Sequence, residues 1–492
     1  MTDITTLGEL KKSGYRSRSI KEELRENLIR KLQAKEKIFE GIVGFDDTVL
    51  PDIERAVLSR HNILLLGLRG QAKTRIARML VHLLDEHMPI IAGSELHDDP
   101  LSPMSRQGKD IVAEKGDDTP IEWIHREERY VEKLATPDVS VADLIGDVDP
   151  IKAASMKLAY SDERVIHFGL VPRSHRSIFV INELPDLQPR IQVSLFNILQ
   201  EGDIQIRGFK LRLPLDIQFV FTANPEDYTN RGSIITPLKD RIESQILTHY
   251  PKTIDIARQI TTQEAKLTPE QREKVEVPDL LQILLEQIAF EARDSEYIDE
   301  KSGVSARLTI SGYENLVSTA ERRMLINRED KAQVRLTDFW GVVPAITGKV
   351  ELVYEGEQEG PYGVAVNLMG SAIKKAFLDH FPNPDKLKKG EERDPYGTLR
   401  AWFSGGNEVE LLNDASEKDY RKALDEVAGL RKLVESRLQV KGEEAYIFME
   451  LVLHGLAEVN VVNKEVMEST FSFRDILANM LDDDLFDDDY DN

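Results

Sequence analysis

The chain has 492 residues, no cysteine and a formal net charge of −23, from 64 basic and 87 acidic side chains. That length exceeds one ordinary core, so two to four domains are expected. The missing thiols exclude disulfides and thiolate metal sites, and the acidic surface repels a phosphate backbone at long range, which argues against nucleic acid as a partner. No apolar run approaches the roughly 20 residues that cross a bilayer. The opening Met-Thr-Asp-Ile has no charged-then-apolar leader. A cytoplasmic protein without a membrane span is expected.

Residues 1–40 are charged and helix-prone, and Ser19–Leu32 predicts a surface helix leading into the first domain. From 41 to 250 short β-rich runs alternate with helical patterns. Ile63–Leu66, Ile178–Ile181 and Ile217–Thr222 are the expected strands. Strands alternating with helices predict an α/β domain, a mostly parallel sheet covered on both faces. Ile204–Leu213 alternates apolar and polar about Gly208, a hairpin pattern. Residues 251–345 turn helical and polar, punctuated by Pro251 and Pro278. Residues 346–480 are also mostly helical, with loops expected at Gly356–Gly363, Pro382–Pro395 and Gly405–Gly406. Residues 481–492 form an acidic tail with a few apolar anchors. Such a tail is either solvated and disordered or a docking segment for a basic-grooved partner.

The first expected strand runs into Gly67, Leu68, Arg69, Gly70, Gln71, Ala72, Lys73, Thr74 and Arg75. This is a phosphate-binding loop in which Ala72 stands where the pattern has its last glycine. Backbone N–H groups of such a loop wrap phosphates, and the following helix adds its N-terminal dipole. Lys73 would neutralise the outer phosphate oxygens of ATP, and the Thr74 hydroxyl would ligate Mg²⁺. A Cβ at positive φ costs about 1 kcal/mol, so Ala72 is expected at negative φ. The second strand ends in Asn182 and Glu183. An acidic residue at that edge orients Mg²⁺; Asn182 keeps an acceptor oxygen but lacks the charge. Glu183 is the candidate base for the attacking water. The third strand ends in Ala223-Asn224-Pro225, where the Asn224 amide can hold that water, although Asn-Pro is also an ordinary turn. His97, His125, His167 and His175 lack metal-ligand spacing and read as ordinary histidines.

With these motifs the stretch from Gly41 to Tyr250 resembles an AAA+ ATPase core of the MoxR and magnesium-chelatase ATPase-subunit group. Gly70-Gln-Ala-Lys-Thr74 is similar to the MoxR form of the loop, in which alanine commonly precedes the lysine. Gly41-Ile42-Val43-Gly44 resembles the group's adenine-side segment, so Ile42 and Val43 are implied nucleotide contacts. Ile91–Pro100 looks like the chelatase insertion. Asp143–Ala153 and His167–Ser177 resemble the approach to the second strand, and 204–213 resembles the hairpin that projects over the ring pore. The resemblance makes Asn224 sensor 1 and Arg307, in Ser305-Ala-Arg307-Leu308, sensor 2 in a lid spanning 251–345. Lys239-Asp-Arg241 resembles Leu-Asp-Arg-Phe, which gives Arg241 to the neighbouring subunit's site; Arg231 is a rival. Departures are Asn182 for the usual aspartate and Ile242 for the phenylalanine.

The resemblance implies an ATP- and Mg²⁺-dependent ATPase that forms a homo-oligomeric ring, a hexamer, and remodels a partner carrying a von Willebrand A domain. A chelatase complex would be a special case. Two alternatives stay open. One is a nucleotide-gated scaffold that hydrolyses slowly because of Asn182. The other is a DNA-acting relative, opposed by the net charge and by the missing Gly-Ala-Phe-Thr-Gly-Ala loop.

Overall fold

The computed structural model describes residues 3–157, 163–201, 204, 213–225, 233–386, 394–467 and 470–474. It divides into two compact units, Met1–Tyr250 and Pro251–Asn492. The fold class expected from the sequence is the one observed: an α/β core with a central parallel sheet, followed by a helical region.

The core sheet of the first unit has five strands: β1 (Ile63–Leu66), β2 (Tyr130–Leu134), β3 (Ser177–Asn182), β4 (Ile217–Ala223) and β5 (Ser244–Leu247). Their order across the sheet is β2-β3-β4-β1-β5, and every pairing is parallel. Leu66 is in register with both Ala223 and Leu247, and Leu134 with Asn182, so the strand ends gather along one edge. The three apolar runs seen in the sequence are β1, β3 and β4. They are buried on both faces, which is why they read as continuous apolar stretches. Ile63, Leu65, Ile178, Val180, Val220 and Ile246 pack into one core, and Leu64, Phe179, Ile181, Phe219 and Phe221 into a second core on the other face. Each such side chain contributes about 1.5–3 kcal/mol by leaving water.

The N-terminal helix runs Ile20–Ala34, with Ser19 capping the Glu22 N–H; one face is exposed, as expected of a surface helix, and the other is packed inward. Ile20, Leu24 and Leu28, one face at a spacing of four, enter the same core as β1. Glu23 on that face is buried with Arg129, at 2.7 Å. Between β1 and β2 lies an antiparallel pair, His87–Ile91 with Ile121–His125. The expected hairpin falls outside the described residues except for Ile204 and Leu213, both buried.

In the second unit one continuous core reaches from Val275 to Phe473. It is built mainly on the helices Asp279–Asp294, Arg307–Asn327, Tyr354–His380 and Glu443–Glu458. The loop expected at Gly356–Gly363 is instead a kink inside the third of these. Gly360 sits at φ 82°, and Pro361 opens the next helical segment. The helical region also holds a three-stranded antiparallel sheet, Val409–Leu412, Thr470–Arg474 and Asn463–Met467 in that order. Phe471 and Phe473 alternate onto its buried face beside His454. The acidic tail lies outside the described residues. Among those described, no helix is long and apolar enough to cross a membrane, and no three His, Cys, Asp or Glu side chains group as metal ligands.

Candidate functional site

The loop between β1 and the helix Lys73–Met79 lies where the strand ends gather. Open parallel sheets bind ligands at that edge. Gly70 is at φ 75° and Ala72 at φ 56°, ψ 13°. The expectation of negative φ for Ala72 is therefore wrong. Left-handed residues alternating with others along a loop are the backbone pattern of an anion-binding nest. Ala72 holds this conformation against a cost of about 1–2 kcal/mol. Gly67 is required for a different reason. A Cβ there would fall 2.0 Å from Thr248 Oγ1 and 2.2 Å from Gln71 Oε1.

Two contacts pin the loop from outside, and Lys73 braces it from within. Thr248 Oγ1, just past β5, donates to Gln71 Oε1 at 2.6 Å. The Tyr250 hydroxyl donates to the Arg69 carbonyl at 3.0 Å. Lys73, 7 % exposed, donates to the Gly67 carbonyl, to the Leu68 carbonyl at 2.9 Å and to Asn224 Oδ1 at 2.7 Å. Arg75 is exposed on the helix.

Asn224 connects the loop to the end of β3. Its Nδ2 donates to Glu183 Oε2 at 2.8 Å while its oxygen accepts from Lys73. Glu183 takes a left-handed conformation, φ 56° and ψ 50°, and its N–H donates to Thr222 Oγ1 at 3.1 Å. Two non-glycine residues in this costly region, Ala72 and Glu183, thus flank one network, a pattern typical of functional sites. Asn182, 7 % exposed, accepts at Oδ1 from Thr222 Oγ1 at 3.1 Å and from Thr74 Oγ1 at 3.4 Å. Its Nδ2 donates to Glu132 Oε1 at 2.6 Å. Burial opposes the charge on Glu132, but hydrogen bonds from Arg78, Tyr130 and Asn182 prevail and hold its pKa below the usual carboxylate range.

The sequence-derived set therefore meets in part. Lys73, Thr74, Asn182, Glu183 and Asn224 form one hydrogen-bonded cluster. Ile42 is buried and Val43 half-buried in the segment leading to Phe45 and Thr48, which touch His249, the neighbour of the loop-pinning Thr248 and Tyr250. Arg241 stands outside the cluster. It follows the short helix Thr236–Lys239, pairs with Asp240 and lies 5.5 Å over the Phe196 ring. Arg307 opens a helix of the second unit and is exposed, its N–H bonded to Ser305 Oγ at 3.2 Å. Arg231 lies outside the described residues. His97 is half-buried and His175 buried, and loss of water lowers the basicity of both, His175 down to about 4; its Nδ1 accepts from the Asp216 N–H.

Sequence reasoning missed Glu132, Thr222, Thr248 and Tyr250 as members of the site. Thr222 was legible two residues before Asn224. Glu132 carried little local signal, because Tyr-Val-Glu-Lys-Leu is only half apolar and its strand lies at the sheet margin.

The donor set suits Mg²⁺ and a phosphate ligand. Thr74 Oγ1 and Asn182 Oδ1 are hard oxygen donors 3.4 Å apart, and Lys73 supplies a cation beside the nest.

No family model matches the chain. Solved structures that align with part of the chain include NtrX from Brucella abortus, at 14 % identity over 59 % of this chain and 54 % of that one, with a TM-score of 0.34. They also include Thermotoga maritima RuvB, at 10 % identity over 91 % and 98 % with a TM-score of 0.35. A third is a model of the complex between the BchI and BchD subunits of magnesium chelatase, at 18 % over 65 % and 98 % with a TM-score of 0.33. This chain spans about half the length of NtrX. Likeness at this level assigns neither a family nor a role to any residue.

Proposed function

We propose that the chain binds ATP with Mg²⁺ and hydrolyses it as a subunit of a homo-oligomeric AAA+ ring, a hexamer of the MoxR and magnesium-chelatase type. The cycle would remodel or activate a partner carrying a von Willebrand A domain. The observation that carries the reading is the chain Lys73–Asn224–Glu183, which links a phosphate loop to a carboxylate at the end of the neighbouring strands. Residues Gly67 to Arg75 would cradle the phosphates, with Ile42 and Val43 on the base side. Thr74 and Asn182 would hold Mg²⁺, which when bound neutralises charge on the phosphate oxygens. Glu183 would take a proton from the attacking water, and Asn224 would orient the Glu183 carboxylate and keep Lys73 aimed at the loop. Arg241, half-buried beside Phe196, would serve the neighbouring subunit's site. Arg307 would sense the nucleotide from the lid.

Steady-state ATP turnover tests this. The parent should show a clear rate. Lys73→Ala should lose nucleotide binding, Glu183→Gln should lose turnover by about 10²–10⁴-fold while retaining nucleotide, and Arg241→Ala should lose about 10³-fold or more. A Glu183→Gln rate equal to the parent's would overturn the assignment of the base.

A second reading is a nucleotide-gated scaffold. Asn182 in place of an acid favours it, since an amide orients a metal more weakly than a carboxylate. Parent turnover at background, with nucleotide binding intact, would select it.

A further inference from the structure

Asn182 lacks the charge expected beside Mg²⁺, and the structure places a carboxylate directly behind it. The Asn182 amide has two ends with opposite chemistry. Glu132 Oε1 accepts from its Nδ2 at 2.6 Å. A carboxylate offers only acceptors, so the amide must present Nδ2 to Glu132 and Oδ1 to the other side. That other side holds Thr74 Oγ1 at 3.4 Å and Thr222 Oγ1 at 3.1 Å, both donating to Oδ1. Glu132 is itself held. Arg78 donates to it through Nε at 2.8 Å and Nη2 at 3.2 Å, and the Tyr130 hydroxyl at 3.1 Å. Arg78 lies one turn beyond Thr74 on the same helix. The relay Arg78–Glu132–Asn182–Thr74 therefore starts and ends on the helix that follows the loop. Its charges differ in surroundings. The Arg78 side chain is 63 % exposed and solvated, whereas Glu132 is 20 % exposed and faces the site.

We propose that Glu132 is a positioning residue for the metal side of the site. It fixes Asn182 Oδ1 toward Thr74 and supplies, one hydrogen bond removed, the negative charge that position 182 lacks. The inference rests on the nucleotide reading above. It has a consequence that the departure at 182 taken alone does not suggest. Asn182→Asp would not repair the site, because it would set two carboxylates where a 2.6 Å hydrogen bond now stands, and like charges at that spacing repel. The charge can move only if both positions change.

The test uses the full chain and two readouts other than turnover. Binding of a fluorescent ATP analogue is measured with Mg²⁺ and with EDTA, and Mn²⁺ affinity in the presence of ATPγS is read by electron paramagnetic resonance. Loss of an outer-shell partner typically costs about 10–100-fold in metal affinity. Glu132→Ala should therefore weaken Mn²⁺ about tenfold or more, with analogue affinity in EDTA within about twofold of the parent. Glu132→Gln, the conservative variant, should fall between the two. Asn182→Asp alone should weaken Mn²⁺, and the exchange Glu132→Gln with Asn182→Asp should recover it to within about threefold. Equal Mn²⁺ affinity for the parent, Glu132→Ala and Glu132→Gln would overturn the proposal, as would Asn182→Asp binding at least as tightly as the exchange. A parent that binds the analogue neither with Mg²⁺ nor with EDTA would instead remove the nucleotide reading, and this proposal with it.

Discussion

Lys73, Asn182 and Asn224 in the first unit and Arg323, Asp338 and Glu450 in the second are all nearly water-free polar groups, yet they are wired differently. In the first unit the bonds join three neighbouring strands and a loop, along the edge where a parallel sheet receives ligands. In the second they lie among core helices, away from any sheet edge that could receive a ligand. Asp338 accepts from Arg323 at 2.9 Å and from the Arg335 N–H at 2.8 Å. Glu450 accepts from the N–H groups of Leu336 and Thr337 and from the Tyr420 hydroxyl. Those bonds pin the turn at 335–338 to two helices and leave no edge. Burial of a polar side chain is thus uninformative about function until one asks where its partners lead.

The largest test of this contrast is Asp338→Ala. Breaking a buried pair by removing one member strands the other charge and costs about 3–5 kcal/mol. Thermal denaturation should show that loss, while nucleotide affinity of the still-folded protein should stay unchanged. A parallel fall in affinity would mean that the second network also serves the site.

Glu286 sharpens the comparison within the second unit. Burial, its largest influence, lifts its pKa from 4.5 to about 7, against hydrogen bonds from Thr261 and Thr309. The native state therefore favours the neutral acid. That stabilisation is full below the unfolded pKa and is lost as pH rises toward 7. Glu286→Gln stays neutral throughout. It should gain about 3 kcal/mol over the parent at pH 8 and little near pH 4 in chemical denaturation, a pH-dependent difference set by linkage. An equal gain at both pH values would show that charge is not the cause.

The smallest effect belongs to the first unit. Ala72→Gly should raise its stability by about 1 kcal/mol, because glycine adopts φ 56° without a Cβ penalty. An unchanged or lower thermal midpoint would show that no strain is stored there.

Much of the first unit was legible because its signals are local. β1, β3 and β4 are buried on both faces, so each is an unbroken apolar run, and the loop, Asn182-Glu183 and Asn224 follow those runs directly. What escaped depends on distant partners. Glu132 meets Asn182 across fifty positions of chain. The left-handed turn at Ala72 could not be read from its own side chain. The Ile20–Leu28 stripe was visible, but its many charged neighbours suggested a solvated helix, and only the buried Glu23–Arg129 pair shows why a charge sits on the inner face. In the second unit the strand at Val409–Leu412 is too short to stand out between helical patterns, although Thr470–Arg474 alternates clearly.

Thr248 and Tyr250 have one more consequence. They grip the loop at Gln71 and Arg69, and they are among the last residues of the first unit before the chain passes to Pro251. The last residues of the first unit are thus hydrogen-bonded to the loop. A substitution at Thr248 or Tyr250 therefore reaches the loop through a single hydrogen bond, although 177 and 181 positions of chain separate the partners.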